Sequence, residues 1–315
     1  MEQGNESSTT DFILLSFFSD SQHPRFLISI VRLIFGVAVT GNSILVLLIW
    51  SDACLHMPMY FLLSQLSLMD LMLISTTVPK MATNFFSGHE FISHIGCGVQ
   101  IFLYLMRGVA ECILLTLMAF DRYLVICNPL RYPIIMTPRV CMQMATGSWA
   151  GRVLISLMHT IYAMHFFTCG SRKIDHFFCE IMALLKLSCE DTSIYEKVVL
   201  LSSIAFLLIP FGLILTSYIF IYLTVLHRNS PEGQNKALAT CSSHLCVVSL
   251  YFGPAMIICM TPGSTLPSEM DQHLFVFDVI IIPMLNPLIY SLRNKEVLGA
   301  LRKALWRKLM FKQRR

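Results

Sequence analysis

Charged residues are scarce in this chain of 315 residues, since Asp, Glu, Lys and Arg together account for 13% of it and hydrophobic residues for 55%. An average soluble domain carries about 25% charged residues. The sequence therefore lacks the polar surface that a water-soluble domain of this length needs. The composition predicts a polytopic membrane protein and leaves no stretch for a separate soluble domain.

The usual signatures of enzymes, zinc sites and secondary transporters are missing as well. No nucleophile and base stand in a recognisable catalytic arrangement, and no C-x-x-C spacing occurs that would favour zinc. A transporter predicts repeated halves with paired broken helices. Neither is evident, so intramembrane charge is the only support for that alternative. We expect neither an enzyme nor a nucleic-acid partner.

Positive charge is absent from one end of the chain and concentrated at the other. The first 24 residues contain four acids and no Lys or Arg, whereas nine Lys and Arg residues lie from Arg293 onward. The positive-inside rule predicts that residues 1–25 are extracellular and 293–315 cytoplasmic, in a multi-pass protein of the plasma membrane. The first 24 residues lack the basic and apolar regions of a signal peptide, so we expect the first span to direct insertion. The sequon at Asn5 is then open to N-glycosylation.

Long apolar runs divide the sequence. A helix of about 20 apolar residues crosses a hydrocarbon core about 30 Å thick, and such runs occur at 26–50, 58–80, 97–120, 141–165, 197–226, 237–260 and 272–292. They predict an all-α membrane protein, a seven-transmembrane helix bundle over residues 26–292. From Lys295 to Arg307 apolar and basic residues alternate. This pattern predicts a short amphipathic C-terminal helix on anionic membrane lipids, with a disordered basic tail as the alternative.

The most distinctive motif closes the third run. Leu117–Pro133 reads LMAFDRYLVICNPLRYP, in which the apolar run breaks into an acid–base pair at Asp121-Arg122. An ionised residue costs about 2.5–3.5 kcal/mol at the centre of a membrane helix, so such a pair predicts a function. The stretch resembles the MAYDRYVAICxPLxY signature of olfactory receptors, a branch of the rhodopsin-like G protein-coupled receptors. Phe120 and Val125 depart from that signature and keep its apolar character.

Three further motifs carry the same resemblance along the chain. Residues 55–60 read LHMPMY, residues 236–245 read KALATCSSHL, and residues 286–290 read NPLIY. They are similar to the LHxPMY, KAxxTCxSHL and NPxxY elements of the family. The likeness covers nearly the whole chain and is closest to the tetrapod-type (class II) receptors of family 2. Tyr251-Phe252 departs from it, because the order of the two aromatic residues is exchanged.

The resemblance implies an odorant receptor, which binds small volatile molecules within the bundle and activates a stimulatory olfactory G protein, raising cyclic AMP. It places the ligand in the outer halves of the third, fifth, sixth and seventh spans. Helical spacing puts Tyr104, Leu105, Gly108, Val109 and Cys112 on one stripe of the third span, and the candidates on the fifth and sixth are Ser202, Ser203, Phe206, Tyr251, Phe252, Met256 and Cys259.

The resemblance also bears on activation. It assigns activation and coupling to Asp121, Arg122, Tyr123, Tyr218, Lys236, His244, Asn286, Pro287 and Tyr290. Asp121 is expected to hold Arg122 at rest. A rhodopsin-like receptor for another small ligand is the alternative, although an amine receptor would need an acid near Tyr104 in the third span.

Four cysteines lie in segments predicted to face outward: Cys97, Cys169, Cys179 and Cys189. Four cysteines allow three pairings, and their spacing does not choose among them. The resemblance implies the pairs Cys97–Cys179 and Cys169–Cys189. It also suggests that the loop containing His176 folds over the ligand site.

Several charged residues lie inside predicted spans, notably Asp70, Glu111, Arg107 and Asp278. Two intramembrane carboxylates fit a proton relay, a cation site or neutral acids in a hydrogen-bond network. The resemblance implies that Asp70 and Glu111 hold a sodium ion as a modulator, and no other cofactor is expected. Arg107 lies four residues before Glu111, a spacing that lets the two meet on a helix. In one interpretation Arg107 is neutralised by Glu111 or reaches the outer interface. In the other it competes with sodium or offers a cationic contact to a ligand. We hypothesise that Arg107 and Asp278 are coupled across the bundle.

Overall fold

The computed structural model describes residues 12–14, 23–87, 91–166, 172–227, 231–260, 268–293 and 295–313. Seven long helical segments, called the first to seventh spans below, run along Pro24–Ser51, Pro58–Ser87, His94–Cys127, Pro138–His165, Ser193–Leu226, Pro231–Met260 and Ser268–Arg293. The predicted all-α, seven-helix membrane architecture is confirmed. Most of the helices extend a few residues past the predicted runs, because hydropathy marks only the part of a helix that lies in hydrocarbon.

The fourth span differs from the others in composition. In the described part of the chain, six helices are long and apolar enough to cross a membrane, judged by length and composition alone, and the fourth span is not among them. The fourth has 28 residues, about 42 Å at 1.5 Å per residue, but it contains Arg139, Arg152 and several other polar residues. Arg152 is fully buried, and its guanidinium stacks over the Trp149 ring at 3.6 Å from the centroid. The fourth span packs along the third, so part of its polar surface faces protein and not lipid.

The third span lies at the centre of the bundle. It packs against the second, fourth, fifth and sixth spans, and half of its 34 residues are buried. Ser93 caps its N-terminus by accepting a hydrogen bond from the Gly96 amide at 3.1 Å. This position makes the third span the element around which any site in the bundle is built.

The first and seventh spans approach each other closely. The Asn42 amide donates to the Pro283 carbonyl at 2.8 Å and to the Ala38 carbonyl at 2.9 Å. A Cβ added to Gly41 would lie 3.1 Å from Cγ of Pro287, so this contact depends on a residue without a side chain. The pair Gly41-Asn42 thus joins the two helices.

The seventh span is not a uniform helix. It consists of Ser268–Val276, a π-helical turn at Phe277–Ile281, and Ile282–Arg293. Single π-helical turns within α-helices are frequent at functional sites. Asp278 lies inside this turn and is buried.

One end of the bundle carries a disulfide and a small sheet, and we call it the disulfide end. Cys97 and Cys179 are bonded, as predicted, with their Cα atoms 5.3 Å apart. Cys189 is also disulfide-bonded, but its predicted partner Cys169 lies outside the described residues, as does Asn5. The opposite end, where Arg122 lies, is called the Arg122 end.

The sheet at the disulfide end was not predicted. Strand β1 (Phe12–Leu14) pairs antiparallel with β2 (Phe91–Ile92) and parallel with β3 (Lys173–Ile174), in the order β2-β1-β3. Strands of two or three residues give no usable periodicity in a sequence. The sheet joins the N-terminal segment to two loops, and its inward side chains pack around the Cys97–Cys179 bond.

The C-terminal segment forms the predicted helix, Lys295–Gln313. Val297 and Ala300 are buried against the bundle, and the Tyr60 hydroxyl donates to the Glu296 carboxylate at 2.6 Å. Trp306 stays 68% exposed on the side away from the bundle. The helix therefore packs on the Arg122 end with one aromatic side chain directed outward.

Candidate functional site

A cavity of about 150 Å³ opens between the third, fourth, fifth, sixth and seventh spans. It is lined by Tyr104, Leu105, Gly108, Val109, Cys112, Ile155, His159, Ile181, Val199, Ser202, Ser203, Phe206, Leu207, Tyr251, Ala255, Ile258 and Asp278. Nine of the twelve residues assigned to a ligand site from the sequence are in this set. The walls are mainly apolar, and a few polar side chains are distributed among them.

Two of the twelve residues are described by the structure but are not in the lining. Phe252 is 1% exposed and packs on Phe211, with ring centroids 5.4 Å apart; Met256 packs against the main core. The side chain of Cys259 lies outside the described residues. On the sixth span the cavity is lined by 251, 255 and 258, which share one helical stripe, whereas the sequence reading combined residues from neighbouring stripes.

Sequence reasoning also missed several lining residues. Ile155 and His159 of the fourth span line the cavity, and their spacing of four residues places them on one face of a helix. Ile181, the first residue of a short helix (Ile181–Leu185) that follows Cys179, also lines the cavity. Asp278 was recognised as an unusual charge but not as a cavity residue, because the π-helical turn alters the helical phase.

A polar contact links two walls of the cavity. The Tyr251 hydroxyl donates to the Gly108 carbonyl at 2.8 Å and lies 3.2 Å from the Cys112 sulfur. The Ser202 hydroxyl donates to its own helix, at the Val199 carbonyl. Tyr251 thus connects the sixth span directly to the third at the level of the cavity.

An aromatic cluster lies between the loop before Cys179 and the spans. The Phe178 ring packs on Tyr104 and Phe275, at centroid distances of 5.3 and 5.5 Å. The His176 ring lies 4.9 Å from the Phe275 ring. Burial lowers the pKa of His176 to about 3, so its imidazole is neutral at physiological pH and packs as an aromatic ring. This loop folds against the third and seventh spans beside the disulfide.

Beside the cavity, at the same level of the third span, Arg107 is bonded to three carboxylates on three spans. Its guanidinium donates to Asp70 at 3.1 Å, to Glu111 at 3.0 Å and to Asp278 at 2.9 Å. The Asn286 amide donates to the second Asp70 oxygen at 2.9 Å. Arg107, Asp70 and Glu111 are at most 1% exposed, whereas the Asp278 side chain is 11% exposed. We call Asp70, Arg107, Glu111 and Asp278 the charge cluster.

The charge cluster does not fit a sodium ion between Asp70 and Glu111. One oxygen of Asp70 and one of Glu111 are bonded to the Arg107 guanidinium, and the second Asp70 oxygen accepts from Asn286. In the described part of the chain this leaves the second Glu111 oxygen as the free carboxylate oxygen of the pair. Among the described residues no group of three or more His, Cys, Asp or Glu side chains is arranged to hold a metal ion. Glu111 and Asp70 lie in the same cluster as expected, but a protein cation lies between them.

The Arg122 end contains most of the residues assigned to activation. The Asp121 carboxylate accepts a hydrogen bond from the Tyr132 hydroxyl at 2.9 Å, while the Arg122 guanidinium contacts the Met59 sulfur. No ion pair joins Asp121 and Arg122 in the described chain, so the expected contact between them is replaced by these two. Tyr132, eleven residues after Asp121, thus occupies the carboxylate oxygen that Arg122 was expected to bind.

The remaining activation residues lie on the third, fifth, sixth and seventh spans. The Tyr218 hydroxyl is 2.7 Å from the His244 ring nitrogen, which joins the fifth and sixth spans. Tyr123 packs on Phe220, with centroids 6.1 Å apart, and Tyr290 is buried. The Asn286 amide donates to Asp70 of the charge cluster, and Pro287 lies against the first span near Gly41. The Lys236 side chain lies outside the described residues.

Comparison with known proteins identifies this arrangement. Residues 31–308 match the family model described as olfactory receptor. The chain belongs to the olfactory receptor family. It is 52% identical to mouse olfactory receptor 2V1 and 51% identical to human olfactory receptor 2V2, in each case over 96% of both chains. It is 50% identical to human olfactory receptor 2M7, again over 96% of both chains.

Family membership decides the general function of the receptor. It is an odorant receptor, a multi-pass membrane protein that couples to a G protein, and it is not an enzyme. The cavity, the charge cluster and the Arg122 end can therefore be considered as parts of one ligand-responsive bundle.

Proposed function

We propose that the cavity between the third and seventh spans is the site at which the receptor binds its odorant. The observation that carries this proposal is a cavity with mainly apolar walls, built from five spans and from Ile181 of the short helix that follows Cys179. Ligand sites in helical bundles are typically concave and apolar, with few polar anchors. At about 150 Å³ the cavity matches a volatile molecule with few heavy atoms.

The polar side chains of the cavity suggest the chemistry of the ligand. Tyr104, Ser202 and Ser203 provide hydroxyl groups to an otherwise apolar space. We propose that they bind the oxygen of an alcohol, aldehyde or ester. Each ligand atom contributes at most about 1.5 kcal/mol, and usually much less, so binding by such a small molecule is weak.

We also propose an orientation for the receptor in the plasma membrane. The disulfide end faces the outside, and the Arg122 end faces the cytoplasm, as the distribution of Lys and Arg supports. Asn5 is then exposed to N-glycosylation. The C-terminal helix would lie on the inner leaflet, with Trp306 in contact with lipids, which fits its 68% exposure.

We propose that the ligand acts by shifting an equilibrium between two arrangements of the bundle. Tyr251 links the cavity to the third span, and the Tyr218–His244 contact ties the fifth and sixth spans near the Arg122 end. An odorant that favours the arrangement with the sixth span displaced outward would open a cleft around Arg122. The partner in that cleft is a stimulatory olfactory G protein. The other activation residues are proposed to act in the same step.

The coupling proposal is tested with Arg122→Ala. Cells expressing the receptor and the olfactory G protein are expected to raise cyclic AMP with at least one member of a panel of volatile alcohols, aldehydes and esters. Arg122→Ala is expected to abolish the response at equal surface display, because it removes the cation from the proposed cleft. Arg131→Ala, which changes an exposed arginine of the following loop, is the matched control and keeps the response. An unchanged response in Arg122→Ala contradicts the assignment.

The cavity proposal is tested with Gly108→Leu. A Cβ at Gly108 would meet only the Tyr251 hydroxyl, at 3.8 Å, so the added side chain points into the cavity without a backbone clash. We expect the concentration for half-maximal response to rise at least about tenfold, a loss of about 1.4 kcal/mol or more in binding. Gly212→Leu in the fifth span, where a Cβ meets nothing within 4 Å, is the control and leaves the response unchanged. Equal responses of both variants would place the ligand elsewhere.

A further inference from the structure

The three donor nitrogens of Arg107 each have a separate acid. Nε is bonded to Asp70 on the second span, Nη2 to Glu111 on the third, and Nη1 to Asp278 on the seventh. A guanidinium presents its donors in a fixed planar fork, and hydrogen bonds between ionised partners are the stronger kind. The side chain therefore fills the space between the three carboxylates and connects three spans.

A mobile cation would find few oxygens left in this cluster. Asp70 has one oxygen bonded to Arg107 and the other to Asn286, and one oxygen of Glu111 also accepts from Arg107. Among the described residues, two buried side-chain oxygens at this place have no hydrogen-bond partner: the second carboxylate oxygen of Glu111 and the amide oxygen of Asn286. Together with the second oxygen of Asp278 they make three, which falls short of the set of about six that hard cations such as Ca²⁺ and Mg²⁺ collect.

A tethered cation also has an advantage over a free one. The Arg107 side chain is attached to the third span, so its presence in the cluster does not depend on ion concentration. Its charge is permanent, because a guanidinium does not lose its proton in a protein. An ion would have to displace three charge-assisted bonds and leave the guanidinium buried without partners, which is strongly unfavourable.

We infer that Arg107 is the built-in cation of the charge cluster and takes the place of a sodium ion in this receptor. The resting bundle is then held together independently of sodium. Removal of the guanidinium leaves three carboxylates and the Asn286 oxygen around one space, and this exposes a site that a sodium ion can occupy. The wild-type receptor is insensitive to sodium, and a receptor without Arg107 is sensitive to it.

Thermal stability of the purified receptor tests this inference without any odorant or G protein, so its outcome is separate from that of the proposed function. The melting temperature Tm is measured in sodium chloride and in choline chloride at equal ionic strength. The wild type is expected to have the same Tm in both salts. Arg107→Leu is expected to melt lower in choline, and sodium is expected to raise its Tm by about 2 °C or more in a saturable manner.

Arg152→Leu is the matched control, because Arg152 is also fully buried but stacks on Trp149 and has no ion pair among the described residues. Its Tm is expected to be the same in both salts. A saturable rise of the wild-type Tm with sodium overturns the inference, and that arm needs no variant to fold. A folded Arg107→Leu, or the milder Arg107→Gln, that ignores sodium also overturns it.

Discussion

Replacing Arg107 by leucine is expected to lower the free energy of unfolding by about 3–5 kcal/mol, the usual cost of removing one partner from buried charges. The change leaves Asp70, Glu111 and Asp278 close together without a cation. Removing Asp278 from the same receptor should relieve part of this repulsion. We therefore expect the double variant Arg107→Leu/Asp278→Leu to be more stable than Arg107→Leu alone.

A double-mutant cycle on the melting temperature measures this coupling. Residues in direct ionic contact show interaction free energies of about 0.5–3 kcal/mol, and the Arg107–Asp278 distance of 2.9 Å predicts a value in that range. Asp52→Asn serves as the control second change, because Asp52 pairs with Lys303 outside the charge cluster. Additive effects of Arg107→Leu and Asp278→Leu would contradict the coupling that we hypothesise from the sequence and that the ion pair supports.

Loss of the Cys97–Cys179 bond is expected to have the second largest effect. The bond closes a loop between residues 82 positions apart, and removal of a native disulfide typically costs about 2–5 kcal/mol. It also holds the loop whose His176 and Phe178 rings pack over the seventh span. Cys97→Ser should therefore be displayed poorly at the cell surface and should melt at a lower temperature than the wild type.

Surface labelling and the melting temperature of the purified protein check this expectation. Cys54→Ser is the control, since Cys54 is a free and exposed cysteine, and it should behave like the wild type in both measurements. If Cys97→Ser reaches the surface at wild-type levels with an unchanged melting temperature, the disulfide does not stabilise the fold.

The spans could be predicted from the sequence because the bilayer imposes one strong requirement, an apolar helix of sufficient length. The fourth span shows the limit of that signal. Its Arg152 is buried within the protein and stacks on Trp149, and hydropathy records neither feature. The strands β1, β2 and β3 form by pairing between segments far apart in the sequence, so no local pattern predicts them.

The cavity lining contains every ligand-site residue predicted on the third and fifth spans, but only Tyr251 of those predicted on the sixth. Helical spacing predicts that Tyr104, Gly108 and Cys112 share one face, and all three line the cavity because that helix is regular. On the sixth span the choice of stripe depends on the rotation of the helix about its axis, which tertiary packing decides. Arg107 illustrates a different limit: spacing predicted the Glu111 contact, but only the packed bundle brings Asp70 and Asp278 to the same guanidinium.

The π-helical turn at Phe277–Ile281 amounts to one extra residue inserted into an otherwise regular helix. Each residue turns an α-helix by about 100°, so the two halves of the seventh span are out of phase with each other. The half nearer the disulfide end presents Phe275 to the aromatic cluster, and the half nearer the Arg122 end presents Asn286 and Pro287 to the core. Deleting a single residue within the turn would restore a plain helix and rotate one face relative to the other. The number of residues in this turn is therefore as important as their identity, because it sets how the faces of the two halves are rotated relative to each other.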